Sequence, residues 1–220
     1  SSDVCSSDLG QRGSDVAREV ADLVLLDDNF ATIVAAIKEG RNIYENIQKF
    51  IRFLFSTNLS ETLIVVIGVI GSFFLGLHDE AGGLLLPLTA AQLLWVNVIT
   101  DGPSALALGL DRDPSVLRQR PRDPKSPLLD SQSRHFIITT GSFKALIGGA
   151  LLVALPHLGY SLTATRTILF LYITIGQLMF VYSARRIAGT PQRNIALHLS
   201  VILGTGLQLL TVSVPGLRQR

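Results

Sequence analysis

Five apolar segments follow one another along the chain, separated by short polar stretches. A helix needs about 20 predominantly apolar residues to cross the hydrocarbon core of a bilayer, and each segment approaches or exceeds that length. The pattern therefore predicts a mainly α-helical protein, a multi-pass transmembrane helical bundle. The predicted spans lie at about residues 50–77, 88–110, 135–155, 165–184 and 195–214.

The first apolar segment continues from an amphipathic stretch that carries its charges on one face. Nothing between Ile33 and Leu77 demands a break, so we predict one helix. At 1.5 Å per residue it is about 65 Å long, roughly twice the thickness of the hydrocarbon core. Residues 33–49 are then a stalk helix in water, and residues 50–220 form the transmembrane domain.

The residues before this helix have a different pattern. Residues 1–12 are mostly small and polar and have no apolar core, so we predict a disordered or foreign start rather than a signal peptide. Residues 13–32 are typical of a short helix, a buried strand from Asp22 to Leu26, and a turn. They indicate a short α/β remnant, the C-terminal edge of a domain whose other strands this fragment lacks.

Composition supports a membrane protein. Of all residues, 48% are hydrophobic and 16% are charged, whereas soluble domains carry about 25% charged residues. The net charge of +2 is too small to indicate a nucleic-acid partner. The single cysteine, Cys5, excludes a disulfide framework and a cysteine-based metal site within one chain.

The loops predict the orientation in the membrane, because basic residues accumulate on the cytoplasmic side. Residues 111–134 contain six Arg and Lys, and residues 185–193 contain three. On the opposite side, residues 78–87 contain none and residues 156–166 contain one. The basic loops and the N-terminal end are therefore predicted to be cytoplasmic, in an integral protein of a bacterial plasma membrane.

Polar residues interrupt the first two spans at the depth where lipid tolerates them least. Asn58 and Glu61 lie three residues apart, and the second span carries Asn97, Thr100 and Asp101 at helical spacing. A carboxylate at the bilayer centre costs roughly 2.5–3.5 kcal/mol on insertion scales. No Lys or Arg lies centrally in either span. Hard oxygen donors without thiolate or imidazole predict a site for Ca²⁺, Mg²⁺, Mn²⁺ or an alkali ion.

Gly102 and Pro103 follow these residues directly. Proline has no N–H group and clashes with the preceding turn, so we predict that the helix unwinds near Asp101. Unwound backbone at this depth is tolerated only where it lines a protein cavity, and its free carbonyls would then be additional ion ligands.

Other polar residues in the spans leave two interpretations open. Asn and Thr often form hydrogen bonds between membrane helices, which is the structural alternative for each of them. Gln177, at mid-depth of the fourth span, is predicted to be such a packing residue, with an ion ligand as the second interpretation. Lys144 lies inside the third span, where it is expected to snorkel or to pair with a neighbouring helix.

Two stretches resemble a known family: "GSDVAREVADLVLLDDNFATIVAAIKEGRNIYENIQKFIRFLFSTNLSE" (residues 13–61) and "QLLWVNVITDGPSALALG" (residues 92–109). They are similar to the C-terminal half of P-type cation-transporting ATPases, and most similar to the calcium-pump branch. The resemblance implies that residues 13–32 end the phosphorylation domain and that the spans correspond to the fifth through ninth helices. It places the family's ion ligands on Asn58, Glu61, Asn97, Thr100 and Asp101. Gln177 matches the eighth-helix acid of two-site pumps, and a neutral residue there favours one divalent ion per cycle.

The resemblance implies the membrane part of an ATP-driven pump for Ca²⁺ or a related cation. The phosphorylated aspartate, the nucleotide domain and the first four helices are not in this chain. Mg²⁺ and ATP would therefore bind only in the intact protein, and the partners are the bilayer, the transported cation and the missing N-terminal portion. Two alternatives stay open, a secondary cation transporter or channel without ATP and a non-transporting scaffold. The scaffold would leave both carboxylates unexplained.

Overall fold

Helices account for nearly all of the chain that can be described. The computed structural model describes residues 15–20, 29–75, 86–118, 127–186 and 192–213, and within them there is no strand. The predicted strand at Asp22–Leu26 lies outside this part, so only the short helix of the predicted α/β remnant is seen. The helices are α1 (Asp15–Val20), α2 (Phe30–Leu75), α3 (Ala90–Trp95), α4 (Gly102–Gly109), α5 (Ser131–His157), α6 (Leu162–Arg185) and α7 (Ile195–Ser213).

The prediction of one long helix is confirmed. Helix α2 runs without interruption for 46 residues, from Phe30 to Leu75, and is about 70 Å long. It contains no proline, and its interior glycines at Gly40 and Gly68 do not break it. Residues at its two ends are therefore joined by one continuous rod.

Four helices have the length and composition of membrane spans. They are the greater part of α2 (Ala31–Phe74), α5, α6 and α7. These four agree with the first, third, fourth and fifth predicted spans. The second predicted span is not among them, because the segment from Ala90 to Gly109 is divided into three shorter helical elements.

The structure corrects the predicted unwinding near Asp101. Residues Val96–Asp101 form a π-helix, and α4 resumes at Gly102 with Pro103 in its first turn. The Gly102 N–H bonds to the carbonyl of Asn97, five residues earlier. A wider turn accommodates the missing N–H and the ring of Pro103 while the backbone stays helical. The Asn97 carbonyl, which unwinding would have freed for an ion, is therefore already bonded.

Small residues allow α5 to pack closely along α2. A Cβ atom on Gly141 would lie 2.9 Å from the Leu59 side chain, and one on Gly148 would lie 2.6 Å from Ile64. Both pairs advance in the same direction along the two helices, so α2 and α5 run parallel. Glycine lets membrane helices approach more closely than any other residue does, and here it sets the register between α2 and α5.

A buried network built on Asp111 joins α2, α6 and the start of α7 to the loop that follows α4. The Asp111 carboxylate accepts bonds from Lys49 at 3.3 Å, from Arg185 at 2.8 and 3.0 Å, and from Asn194 at 2.7 Å. Asn46 donates to the Asp111 main-chain carbonyl at 2.7 Å. Because Lys49 is 0% exposed and Asp111 is 2% exposed, this network fixes the position of α2 against α4.

Replacing Gly148 by valine should destabilise the bundle, since the added methyl groups would overlap Ile64. Overpacking of this kind costs about 1–3 kcal/mol. We expect a lower thermal midpoint for the detergent-solubilised full-length protein. The control is Gly206→Val in α7, where a Cβ meets nothing within 4 Å. An equal loss in both variants would contradict a specific contact between α5 and α2.

Replacing Asp111 by alanine should be more damaging, because it leaves Lys49 buried without its carboxylate. Breaking a buried ion pair from one side costs about 3–5 kcal/mol. Removing the Lys49 charge as well, in Lys49→Met with Asp111→Leu, should recover part of that loss, because Arg185 also loses its carboxylate but keeps its bond to the Gln192 carbonyl. The same thermal measurement checks this, and a double variant less stable than Asp111→Ala would contradict the pairing.

Candidate cation site

Three polar side chains from different elements meet where α6 packs against α2 and the π-helix. The Glu61 carboxylate of α2 accepts a hydrogen bond from Asn97 Nδ2 at 3.3 Å and a second bond from Gln177 Nε2 of α6. Glu61 is 4% exposed and Gln177 is 0% exposed. The structure therefore brings together three of the six predicted site residues, and both oxygens of Glu61 have a donor.

Asp101 lies at the end of the π-helix and is 1% exposed. Its neighbours include Glu61, which interacts with it electrostatically, and the Thr57 hydroxyl. The Thr57 hydroxyl donates to the main-chain carbonyls of Phe53 and Leu54 at 3.1 and 3.0 Å. Neither oxygen of Asp101 accepts a hydrogen bond from the residues that the structure describes.

The π-helix separates residues that a regular helix would place on one face. Thr100 and Asp101 are buried, whereas Asn97 is exposed and reaches Glu61 from the margin of the site. The Asn97 amide also donates to the Leu93 carbonyl at 2.9 Å. The prediction that Asn97, Thr100 and Asp101 lie on one helix face is therefore only partly correct. Thr100 and Asp101 are buried, and Asn97 lies at the edge of the site.

Asn58 is not brought into the buried cluster. It lies three residues before Glu61 on α2, but its side chain is exposed whereas Glu61 is buried. Three residues in an α-helix differ by about 60° in direction, which is enough to place one inside and the other outside. Its assignment as an ion ligand stays a prediction.

Two hydroxyl residues near the site were not singled out by the sequence. Thr57 lies beside Asp101, and Ser104 lies three residues after it in the first turn of α4. The Ser104 hydroxyl is 0% exposed and has no hydrogen-bond partner in the described part of the chain. The spacing from Asp101 to Ser104 was a usable signal, because residues three apart share a helix face.

Lys144 of α5 is a third residue whose relation to the site was missed. It interacts electrostatically with both Glu61 and Asp101. Its Nζ is buried and lies 4.5 Å from the centre of the Phe180 ring. The Lys144 side chain therefore does not snorkel to the membrane surface. Of its two predicted roles, snorkelling is wrong. The interior holds a positive charge that the composition of the first two spans did not reveal.

The donor chemistry of this interior suits a hard cation. Of the seven buried side-chain oxygens that have no hydrogen-bond partner among the described residues, four belong to residues at or next to the candidate site: both of Asp101, the hydroxyl of Ser104 and the amide oxygen of Gln177. No group of three or more His, Cys, Asp or Glu side chains occurs within the same residues. A metal here would therefore rely on two carboxylates supplemented by amide and hydroxyl oxygens, which is a donor set of the kind that Ca²⁺ accepts.

Residues 85–219 match the family described as "Cation transporting ATPase, C-terminus". This match covers more than half of the chain. The chain belongs to the cation-transporting ATPase family. The predicted resemblance to its calcium-pump branch is confirmed by the relatives, and the four apolar helices agree with an integral membrane protein of this family.

The chain is similar to proteins named calcium-transporting ATPases. The calcium-transporting ATPase of Bacillus subtilis is 36% identical over 219 residues, which cover 96% of this chain and 23% of that protein. Calcium-transporting ATPase 1 of Bacillus cereus is 43% identical over 134 residues, or 60% of this chain and 14% of that protein. The human calcium-transporting ATPase type 2C member 1 is 40% identical over 122 residues, or 55% of this chain and 12% of that protein. The chain thus spans less than a quarter of the length of these relatives.

Replacing Asp101 by asparagine should not destabilise the ion-free protein, because a buried carboxylate without donors is itself unfavourable. A ligand at 100 times its Kd stabilises by about 2.7 kcal/mol, and we expect this Ca²⁺-induced rise in thermal midpoint to vanish in Asp101→Asn. The matched control is Asp111→Asn, which should lower the midpoint and keep the Ca²⁺ response. A full Ca²⁺ response in Asp101→Asn would exclude Asp101 as a ligand.

Proposed function

We propose that this chain is the membrane cation-transport part of an ATP-driven P-type pump that transports Ca²⁺. The ion binds at mid-membrane between α2 and the broken helix formed by α3, the π-helix and α4. The observation that carries this proposal is the burial of Asp101, beside Glu61, without any hydrogen-bond donor in the described residues.

The contrast between Asp101 and the other two aspartates that are buried among the described residues, Asp111 and Asp113, supports an ion over a structural role for Asp101. Asp113 accepts bonds from the main-chain N–H and the hydroxyl of Ser115 at 2.8 and 2.6 Å. Asp111 is compensated inside the protein by Lys49, Arg185 and Asn194. Asp101 has an equally buried carboxylate and accepts no such bond. Since an uncompensated buried charge costs several kcal/mol, a transported cation is the natural partner of Asp101.

The choice of Ca²⁺ rests on ligand type and on the relatives. Carboxylate, amide and hydroxyl oxygens are hard donors, and the relatives above carry the name calcium-transporting ATPase. A neutral residue at Gln177 leaves two carboxylates, which balance one divalent ion. We therefore propose a single Ca²⁺ per cycle, with Asn58, Glu61, Asn97, Thr100, Asp101 and Gln177 as the ligand set.

The exposed edge of the site suggests how the complete protein would close it. Asn58 and Asn97 are exposed here, while the other four proposed ligands are buried. In the proposed pump, helices from the N-terminal portion cover this edge and supply further oxygens. Mg²⁺ and ATP bind in that same portion, outside this chain.

The continuous helix α2 is the element that would couple motion of the phosphorylation domain to the ion site. Residues 33–49 form the stalk on the cytoplasmic side, where residues 13–32 end the phosphorylation domain, and Glu61 lies farther along the same helix. A tilt of that domain would move Glu61 relative to Asp101, because no break in α2 absorbs the motion. The Asp111 network holds α2 beside α4 about 18 Å from Glu61 along the helix and would be the pivot. We place the protein in a bacterial plasma membrane, with its N-terminal end cytoplasmic.

The test uses the full-length protein in sealed membrane vesicles. Glu61→Gln and Asp101→Asn should each abolish ATP-driven ⁴⁵Ca²⁺ uptake, by at least about a hundredfold, because each removes half of the negative charge of the site. The control Glu39→Gln, an exposed residue on the same helix α2, should leave uptake unchanged.

Two results would contradict the proposal. Uptake that persists in both site variants would exclude the site, and Ca²⁺ flux that needs no ATP would indicate a transporter or channel of another mechanism. Loss of uptake in Glu39→Gln as well would point to a general folding defect. Protein amounts in the vesicles are therefore compared by immunoblot.

A further inference from the structure

Lys144 lies at the level of the proposed ion site. The close contacts Gly141–Leu59 and Gly148–Ile64 hold α5 parallel to α2. Lys144 lies between the two glycines on α5, just as Glu61 lies between Leu59 and Ile64 on α2. The Tyr172 hydroxyl of α6 donates to the Lys144 main-chain carbonyl at 2.9 Å, which ties this part of α5 to α6.

The Lys144 side chain lines an open pocket between α5 and α6. The pocket has a volume of about 480 Å³ and is lined by Phe136, Phe143 and Phe180, with hydroxyls but no carboxylate. The Nζ lies over the Phe180 ring at 4.5 Å and has no hydrogen-bond partner among the described residues. Its cation–π contact with phenylalanine is worth about 2 kcal/mol or more when desolvated, but no hydrogen-bond acceptor or carboxylate among the described residues contacts the amine.

The position of Phe180 connects this charge to the site. Phe180 follows Gln177 by three residues on α6, and Gln177 donates to Glu61. Residues three apart lie on one face of a helix. Lys144 interacts electrostatically with both Glu61 and Asp101, yet it contacts neither carboxylate as a salt bridge.

Two structural roles explain this lysine poorly. A lysine that only packs would extend its amine to the membrane surface, but Nζ is buried. A lysine that only pairs would contact its carboxylate, as Lys49 does with Asp111 at 3.3 Å. Lys144 instead keeps a nearly unpaired charge close to two acids.

We propose that the Lys144 ammonium is a fixed positive charge of the ion site that lowers its affinity for multivalent cations and restricts it to one. This inference rests on the function proposed above. Glu61, Asp101 and Lys144 together carry a net charge of −1, which becomes +1 with one Ca²⁺ and +3 with two. In a poorly solvated interior each unit charge acts strongly, so a second divalent ion is excluded. Lys144 is a specificity-determining residue that acts through space and binds no ion.

The experiment measures equilibrium ⁴⁵Ca²⁺ binding to the purified full-length protein at about pH 7, where a lysine amine keeps its proton and competition from protons at carboxylates is weak. Lys144→Met and Lys144→Gln should bind Ca²⁺ roughly tenfold more tightly, because repulsion has been removed. Lys144→Arg keeps the charge and should bind as the wild type does. The matched control is Arg134→Met, which removes an exposed charge from the same helix about 15 Å away and should change nothing.

A second measurement separates charge from packing. The repulsion scales with the charge of the ion, so La³⁺ displacing ⁴⁵Ca²⁺ should tighten by about thirtyfold where Ca²⁺ tightens by tenfold. A packing defect would weaken binding of both ions or shift them equally. Removing a nearly unpaired buried charge should not prevent folding, and the thermal midpoint of each variant verifies this.

The outcomes distinguish this inference from the proposed function. Unchanged or weaker Ca²⁺ binding in both neutral variants, with Glu61→Gln still abolishing binding, overturns the role of Lys144 and leaves the site intact. Tighter binding that Lys144→Arg shares also overturns it, since the charge is then irrelevant. No Ca²⁺ binding by the wild type, or binding that survives Glu61→Gln, overturns the proposed function itself.

Discussion

Burial of negative charge in an apolar helical bundle is the constraint on which the rest of this structure depends. A carboxylate removed from water must be compensated, and two of the buried aspartates, Asp111 and Asp101, differ in how this is done. Asp111 receives two cations and an amide from three other elements, and this network holds those elements together. Asp101 receives no donor from the described residues. Asp111 with its partners thus stabilises the fold, whereas the proposed function assigns a bound cation as the partner of Asp101.

The π-helix between α3 and α4 turns a proline-induced defect into a wider turn. It keeps the backbone bonded through the Gly102–Asn97 contact and points Thr100 and Asp101 inward, with Asn97 at the margin. In the proposed site the ion would therefore be held by side-chain oxygens rather than by freed carbonyls. The contacts at Gly141 and Gly148 place α5 close to α2. This packing brings Lys144 into electrostatic interaction with Glu61 and Asp101.

Family membership and geometry address different parts of the function. The match to cation-transporting ATPases and the calcium-transporting relatives support an ATP-driven pump, but they do not show which residues hold the ion. The geometry supports the ligand set proposed above and the proposed role of Lys144. The exposed positions of Asn58 and Asn97 agree with an edge that other parts of a longer protein would cover.

The sequence by itself determined the long helix, four of the membrane spans, the two costly carboxylates and the family. Each of these follows from local properties: hydropathy along the chain, the absence of proline from α2, the cost of a charge at mid-span, and the quoted motifs. Only the tertiary structure decided that Asn58 points outward, that Gln177 donates to Glu61, that the turn before Pro103 is a π-helix, and that Lys144 reaches the site. Those outcomes depend on which faces of separate helices meet and in which register. Packing between distant segments sets that register, so the periodicity of residues within one helix cannot predict it.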